Sequence, residues 1–243
     1  ELLPKRPPLS LTPLHAMMAA RAQVLTDPGV ETLRSLSAQI DSVPPRMPSL
    51  AQRAGQLYAA VMADLRLRDG PRAKRHLAQL QMLDGLDNAS HRALRLLSAE
   101  VAMTLGEASK AVALLEANAA NKPSGDRAQR IALAQARVAT QQATQAKQAA
   151  QELVAWLDTH PRDALAWITL AGAYQMSGDG LRSLRAQAEA RLVELDYAAA
   201  IDRFSIAQAT WKRRSSTPAC VNQSNCDGNK CSSAESISTP KSE

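Results

Sequence analysis

The sequence predicts an all-α protein, a stack of helical hairpins with about 11 helices, and three observations carry that expectation. The first is composition: apolar residues make up 45% of the 243 and aromatics 3%. Alanine is abundant. It enters a helix at no side-chain entropy cost, and its small side chain lets helices approach closely. No alternating Val, Ile and Thr run marks a strand. The second is punctuation. Helix-breaking groups recur at Asp27-Pro28, Pro44-Pro45, Asp69-Gly70-Pro71, Asp84-Gly85, Asn121 to Gly125, His160-Pro161 and Ser177 to Gly180. The third is an internal repeat of 38 residues.

Taken in order, residues 1–13 hold Pro4, Pro7, Pro8 and Pro13. Proline lacks a donor and restricts the residue before it, so this stretch reads as an extended arm. Helices are expected near 14–26, 29–41, 48–68, 71–83, 89–105, 107–120, 126–143, 145–159, 162–177, 180–194 and 197–213. Pro71, after Gly70, suits a first helical turn. Asn88 or Ser90 is expected to cap the helix that begins beside it. From 215 to 243 the chain is rich in Ser, Asn and Lys with few apolar residues. It cannot offset its ordering entropy, so a disordered tail is expected there.

The repeat is specific. Ala73, Ala111 and Ala149 stand 38 apart, as do Leu77, Leu115 and Leu153, and as do Gly85, Pro123 and Pro161. In the partner helices Ala60, Ser98 and Ala136 keep the interval, and so do Ala63, Val101 and Ala139. Alanine and a leucine one turn on share a helix face. A single hairpin cannot bury such a face, so neighbours must stack. The unit 162–194 carries Trp167, Leu170, Ala171, Tyr174 and the turn residue Gly178, spaced as W-x-x-L-small-x-x-Y. Ala200, Phe204 and Ala207 follow with A-x-x-x-F-x-x-A spacing. These two patterns are those of tetratricopeptide hairpins. The expected architecture is therefore a right-handed superhelical solenoid of tetratricopeptide-like hairpins over residues 14–214.

Catalytic chemistry finds no carrier in the sequence. The histidines, His15, His76, His91 and His160, are scattered, and no H-E-x-x-H occurs. Each is expected at a helix surface or end rather than on a metal. Cys220, Cys226 and Cys231 lack the close Cys pair and the fourth ligand of a structural zinc site. G-x-S-x-G, Walker and G-x-G-x-x-G motifs are absent, and no cysteine precedes Cys220. The expectation is a non-enzyme with no catalytic or metal residue and no cofactor in this chain.

The formal charge is +6. From Ser215 on, two lysines face three acids, which leaves +7 on residues 1–214. A basic balance invites a nucleic-acid reading. Trp211-Lys212-Arg213-Arg214 is the nearest feature, but it is short and suits the end of a helix dipole. Scattered arginines on solvated faces are the plainer reading, and no nucleic-acid partner is expected. No apolar run is long enough to span a membrane. In stacks of this type the first helix of each hairpin lines a concave face. Its non-core positions include Arg92, Arg95, Arg130 and Arg137. If they converge, they would pair with a carboxylate or acidic peptide; the alternative is four solvated arginines on unrelated faces.

Three stretches suggest a family. They are Pro7-Pro8-Leu9 with His15 to Ala22, Ala166-Trp167 to Tyr174-Gln175, and Leu181-Arg182 to Ala190 followed by Asp196-Tyr197 and Asp202-Arg203-Phe204. Over residues 4–213 the chain resembles the C-terminal region of bacterial M48-family zinc metallopeptidases, the BepA-like periplasmic group. Such proteins carry H-E-x-x-H and zinc in an upstream domain, so no metal or catalytic residue transfers to this chain. The resemblance implies a periplasmic, chaperone-like interaction module in outer-membrane protein quality control. Its partners would be the outer-membrane assembly machinery or its clients. Beginning at Glu1 rather than Met fits a processed or excised piece. The sequence departs from the family after Arg214, where a Cys/Ser/Asn tail stands. The alternative is a stand-alone tetratricopeptide scaffold or adaptor unrelated to proteolysis.

Overall fold

The computed structural model describes residues 11–41, 48–119 and 126–216. Among these residues it is all-α, with eleven helices and no strand. They are α1 (Pro13–Thr26), α2 (Val30–Ala38), α3 (Leu50–Arg66), α4 (Gly70–Gln81), α5 (Asn88–Thr104) and α6 (Ala108–Ala119). Then come α7 (Arg127–Ala139), α8 (Ala143–Thr159), α9 (Ala164–Met176), α10 (Gly180–Val193) and α11 (Tyr197–Ser216). The expectations for the proline-rich arm and the tail fall largely on residues 1–10 and 217–243, outside the described residues. At the margins, Pro13 is already the first residue of α1, and α11 continues through Ser216.

From α3 onward each helix packs on the next, and α7 also packs on α5 and on α9. The repeat positions lie inside this packing. Ala73, Ala111 and Ala149 are fully buried, and Leu77, Leu115 and Leu153 are buried beside them. Ala60, Ser98, Ala136, Ala63 and Val101 are buried too. Ala139 breaks the series: it is exposed, because it is the last residue of α7. Leu170, Ala171 and Ala200 are buried, whereas Trp167, Tyr174 and Ala207 are half-buried. Phe204, expected in the core, is 36% exposed. Its helix packs mainly against α10, and no later described helix covers the other side.

Small residues set the closest approach. A Cβ on Gly55 of α3 would lie 3.0 Å from the backbone oxygen of Ala16 in α1. Any side chain there would push the two helices apart.

The turns within hairpins share one device. Arg68, Gly106, Gln141 and Gly178, which follow α3, α5, α7 and α9, all have positive φ, between 57° and 83°. In three of these turns the next amide bonds back to the helix: Asp69 to Asp64, Glu107 to Ala102 and Asp179 to Tyr174, at 2.8–2.9 Å. This is the left-handed C-cap that closes a helix and reverses the chain. Gln141 explains the largest misplacement of a helix end. The sequence suggested a helix over 126–143, but α7 ends at Ala139, because a left-handed residue without Gly or Pro carries no sequence mark. The cap of α5 also differs from expectation. Asp87, not Asn88 or Ser90, stands at the N-cap and accepts from the Ser90 amide at 2.8 Å.

One polar cluster sits in the apolar interior. Asp64 of α3 accepts from Ser37 Oγ of α2 at 2.5 Å and pairs with His76 Nδ1 of α4 at 2.7 Å. All three side chains are fully buried. This corrects the expectation for His76, which lies inside the fold; His15, His91 and His160 are exposed. The hydroxyl bonds the carboxylate and not the imidazole, so the trio ties three helices together and does not form a nucleophile–base pair.

Candidate functional site

A groove of about 740 Å³ runs along the side formed by α1, α3, α5, α7 and α9. Its walls are largely apolar: Leu14 and Met18 from α1, Leu96 and Met103 from α5, Ile131 from α7, Leu165 from α9. Ala89, Ala93, Ala128 and Ala132 keep its surface shallow between them. The repeat generates it. Ala89, Arg127 and Leu165 all line the groove, each 38 residues from the next.

Tyr58 of α3 forms part of the wall and is 2% exposed. Arg21 Nη1 donates to its hydroxyl at 3.3 Å and to Glu100 Oε2 at 2.9 Å. Burial works against the charge of Arg21, but Glu100 and Tyr58 outweigh it and leave the guanidinium pKa above its ordinary value. Burial raises the Tyr58 phenol, with Arg21 opposing. Arg21 and Glu100 thus cross from α1 to α5 as a matched pair.

The other charges of the groove are matched as well. Arg92 lies 3.4 Å from Asp126. Arg127 donates Nε–H and Nη2–H to the two oxygens of Asp163, each at 2.7 Å. Asp163 also accepts from Trp156 Nε1 at 3.0 Å and caps α9 through the Ala166 amide at 3.2 Å. A bidentate pair of this kind fixes the guanidinium plane. Beside it Trp156 stacks on His160 with ring centroids 3.6 Å apart. This junction walls a second hollow of about 820 Å³, with Pro161 and Ile168, which shares Arg127 and Leu165 with the groove.

Asp163 gives a pH prediction. The hydrogen bonds from Arg127 lead, burial opposes and Trp156 assists, so its pKa falls from 3.8 to about 2. A folded-state value below the unfolded one stabilises at pH above the unfolded value and is lost as pH falls through the folded one. The contribution is about 2 kcal/mol. It should be complete above about pH 4 and fade toward pH 2. Urea unfolding across this range should show the slope, and Asp163→Asn should flatten it; an unchanged slope in the variant would refute the assignment.

Convergence of Arg92, Arg95, Arg130 and Arg137, one of the two readings the sequence left open, does not occur. Only Arg92 lines the main groove. Arg95 lies in a narrow crevice with Leu114, Leu115 and Gln129. Arg130 places its guanidinium 5.1 Å over the Trp156 ring of α8. Arg137 is 3% exposed and clamped between Glu116 of α6 at 2.9 Å and Glu152 of α8 at 2.6 Å. The stack assigns each of these arginines a different neighbour. Sequence reasoning passed over Met18, Tyr58, Met103, Arg21 and Glu100. The 38-residue interval applied to the opposite side of the first helices would have found part of the wall, namely the series Ala89, Arg127 and Leu165.

Among the described residues no group of three or more His, Cys, Asp or Glu side chains could hold a metal ion, and no helix is long and apolar enough to cross a membrane. What the arrangement offers is an apolar surface whose charges are already paired. No protein-family model matches this chain, and no curated protein matches it in sequence.

Proposed function

We propose that this chain is a non-catalytic protein-interaction module of the tetratricopeptide type, with the groove as its docking surface. The carrying observation is the apolar groove built jointly by five helices, with its charges matched internally. Such a surface takes a polypeptide segment that presents apolar side chains, and it gives little reward to a highly charged one. This replaces an acidic peptide held by converging arginines. The resemblance to M48-family metallopeptidases supplies the setting: a periplasmic, chaperone-like module that engages unfolded outer-membrane proteins or their assembly machinery. Zinc and proteolysis would belong to an upstream catalytic domain.

The test uses a denatured outer-membrane β-barrel polypeptide diluted from urea, with binding and suppression of its aggregation as readouts. Met18 and Leu165 are 39% and 40% exposed, so Met18→Asp and Leu165→Asp should leave the fold intact. Each should weaken binding by about tenfold, roughly 1.4 kcal/mol. Saturable binding that ignores both substitutions would exclude the groove. Stoichiometric zinc or turnover of the polypeptide by this chain would exclude the non-catalytic reading.

A further inference from the structure

Helix α1 already covers part of the surface that the repeat generates. It packs along α3 and also against α5. Its Ala16 lies so close to Gly55 that a Cβ there would come within 3.0 Å. Its Arg21 reaches the Tyr58 hydroxyl at 3.3 Å and the Met62 sulfur at 3.9 Å. Gly55, Tyr58 and Met62 are buried, and the buried side of α1 is Ala16, Met17, Ala20 and Val24.

The interval of 38 carries Gly55, Tyr58 and Met62 to Ala93, Leu96 and Glu100 on α5. All three line the groove, and Ala128, Ile131 and Ala132 of α7 extend the same surface. The seat that α1 fills on α3 is thus repeated on α5, where Leu96 and Glu100 are only half-buried. Leu14 and Met18 of α1 form the near wall, so the open seat adjoins the filled one. Its α5 lining runs from Ala89 to Met103, about 21 Å at 1.5 Å per residue, which matches the 14 residues of α1.

We propose that the groove takes its apolar segment as an amphipathic α-helix, laid beside α1 over α5 and α7. This rests on the docking reading above and adds the guest's conformation and pattern. Ala93 carries the Cβ that Gly55 lacks, so the guest residue that meets it is small and sits farther out than Ala16 does. Where Arg21 meets Tyr58, Met62 and Glu100, the next seat offers Leu96, Glu100 and Val138, and Glu100 is already paired with Arg21. The guest is therefore apolar at that place. It presents small and aliphatic residues at i, i+4 and i+8, in the manner of Ala16, Ala20 and Val24, as in other helix-in-groove contacts.

The probe is a synthetic peptide of residues 11–27, titrated into the full chain. A helix of this length is marginal when free, so binding should raise its helical signal. Ala19 and Gln23 are exposed on α1. Joining Ala19→Glu to Gln23→Lys as a lactam should tighten binding about tenfold by pre-organising the peptide. Ala20→Pro should weaken it by about tenfold or more, and Arg21→Leu should not weaken it. In the chain, Ala128→Glu should weaken binding about tenfold. Ala128 is exposed in the first turn of α7, where an acid suits the helix, and it lies away from α3, so its effect separates groove docking from displacement of α1. Binding that ignores Ala20→Pro or Ala128→Glu, or that is lost with Arg21→Leu, overturns the proposal. If the β-barrel polypeptide binds with sensitivity to Met18→Asp and Leu165→Asp while the bridged peptide neither binds nor competes, the helical guest is refuted and the docking reading stands. If neither binds, both fail.

Discussion

Replacing Asp64 with alanine is expected to lower the unfolding free energy by about 3–5 kcal/mol, the cost of breaking a buried pair from one side. The carboxylate receives Ser37 from α2 and His76 from α4 while standing on α3. All three groups are fully buried, so water cannot replace the lost partner. His76 Nε2 already has no partner, and the substitution would leave Nδ1 in the same state. Urea unfolding should show a lower midpoint at an unchanged slope. A loss below about 1 kcal/mol would mean that the cluster relaxes and contributes little. Ser37→Ala, which removes one hydroxyl, should cost less than the loss of Asp64.

Tyr58→Ala is the second large effect, at about 3–5 kcal/mol, as for other buried aromatics. The ring is 2% exposed in the core shared by α1, α3 and α5, so its loss leaves a cavity. Tyr58→Phe keeps the ring and removes only the acceptor of Arg21, 3.3 Å away. It should cost about 1 kcal/mol, a typical net hydrogen bond. The pair of variants separates packing from anchoring. If Tyr58→Phe destabilises as much as Tyr58→Ala, the hydroxyl and not the ring carries the wall. Because Tyr58 lines the groove, Tyr58→Ala should also enlarge the docking surface and lower affinity for the β-barrel polypeptide.

Legibility followed the kind of signal. The helices were readable because alanine-rich periodic runs ended at Pro, Gly and Asp. The exception, the turn at Gln141, adopts its left-handed φ of 57° without the glycine that would have announced it. The core alanines and leucines were readable because a spacing of 38 reports which side of a helix must be covered. Phe204 kept the spacing and not the burial, since a repeat predicts the side and cannot supply the neighbour.

The sequence by itself determined the all-α class, the number of helices, the repeat interval and the lack of known catalytic motifs, because these depend on local propensity and periodicity. Only the tertiary structure decided which polar groups meet. It put His76 inside, clamped Arg137 between two glutamates, stacked Arg130 on Trp156, and paired Arg21 with Glu100, 79 residues away in sequence. Charge pairing depends on distances between helices that no local pattern encodes. The groove is therefore an apolar surface, and of the four arginines that the sequence offered for it only Arg92 lines it.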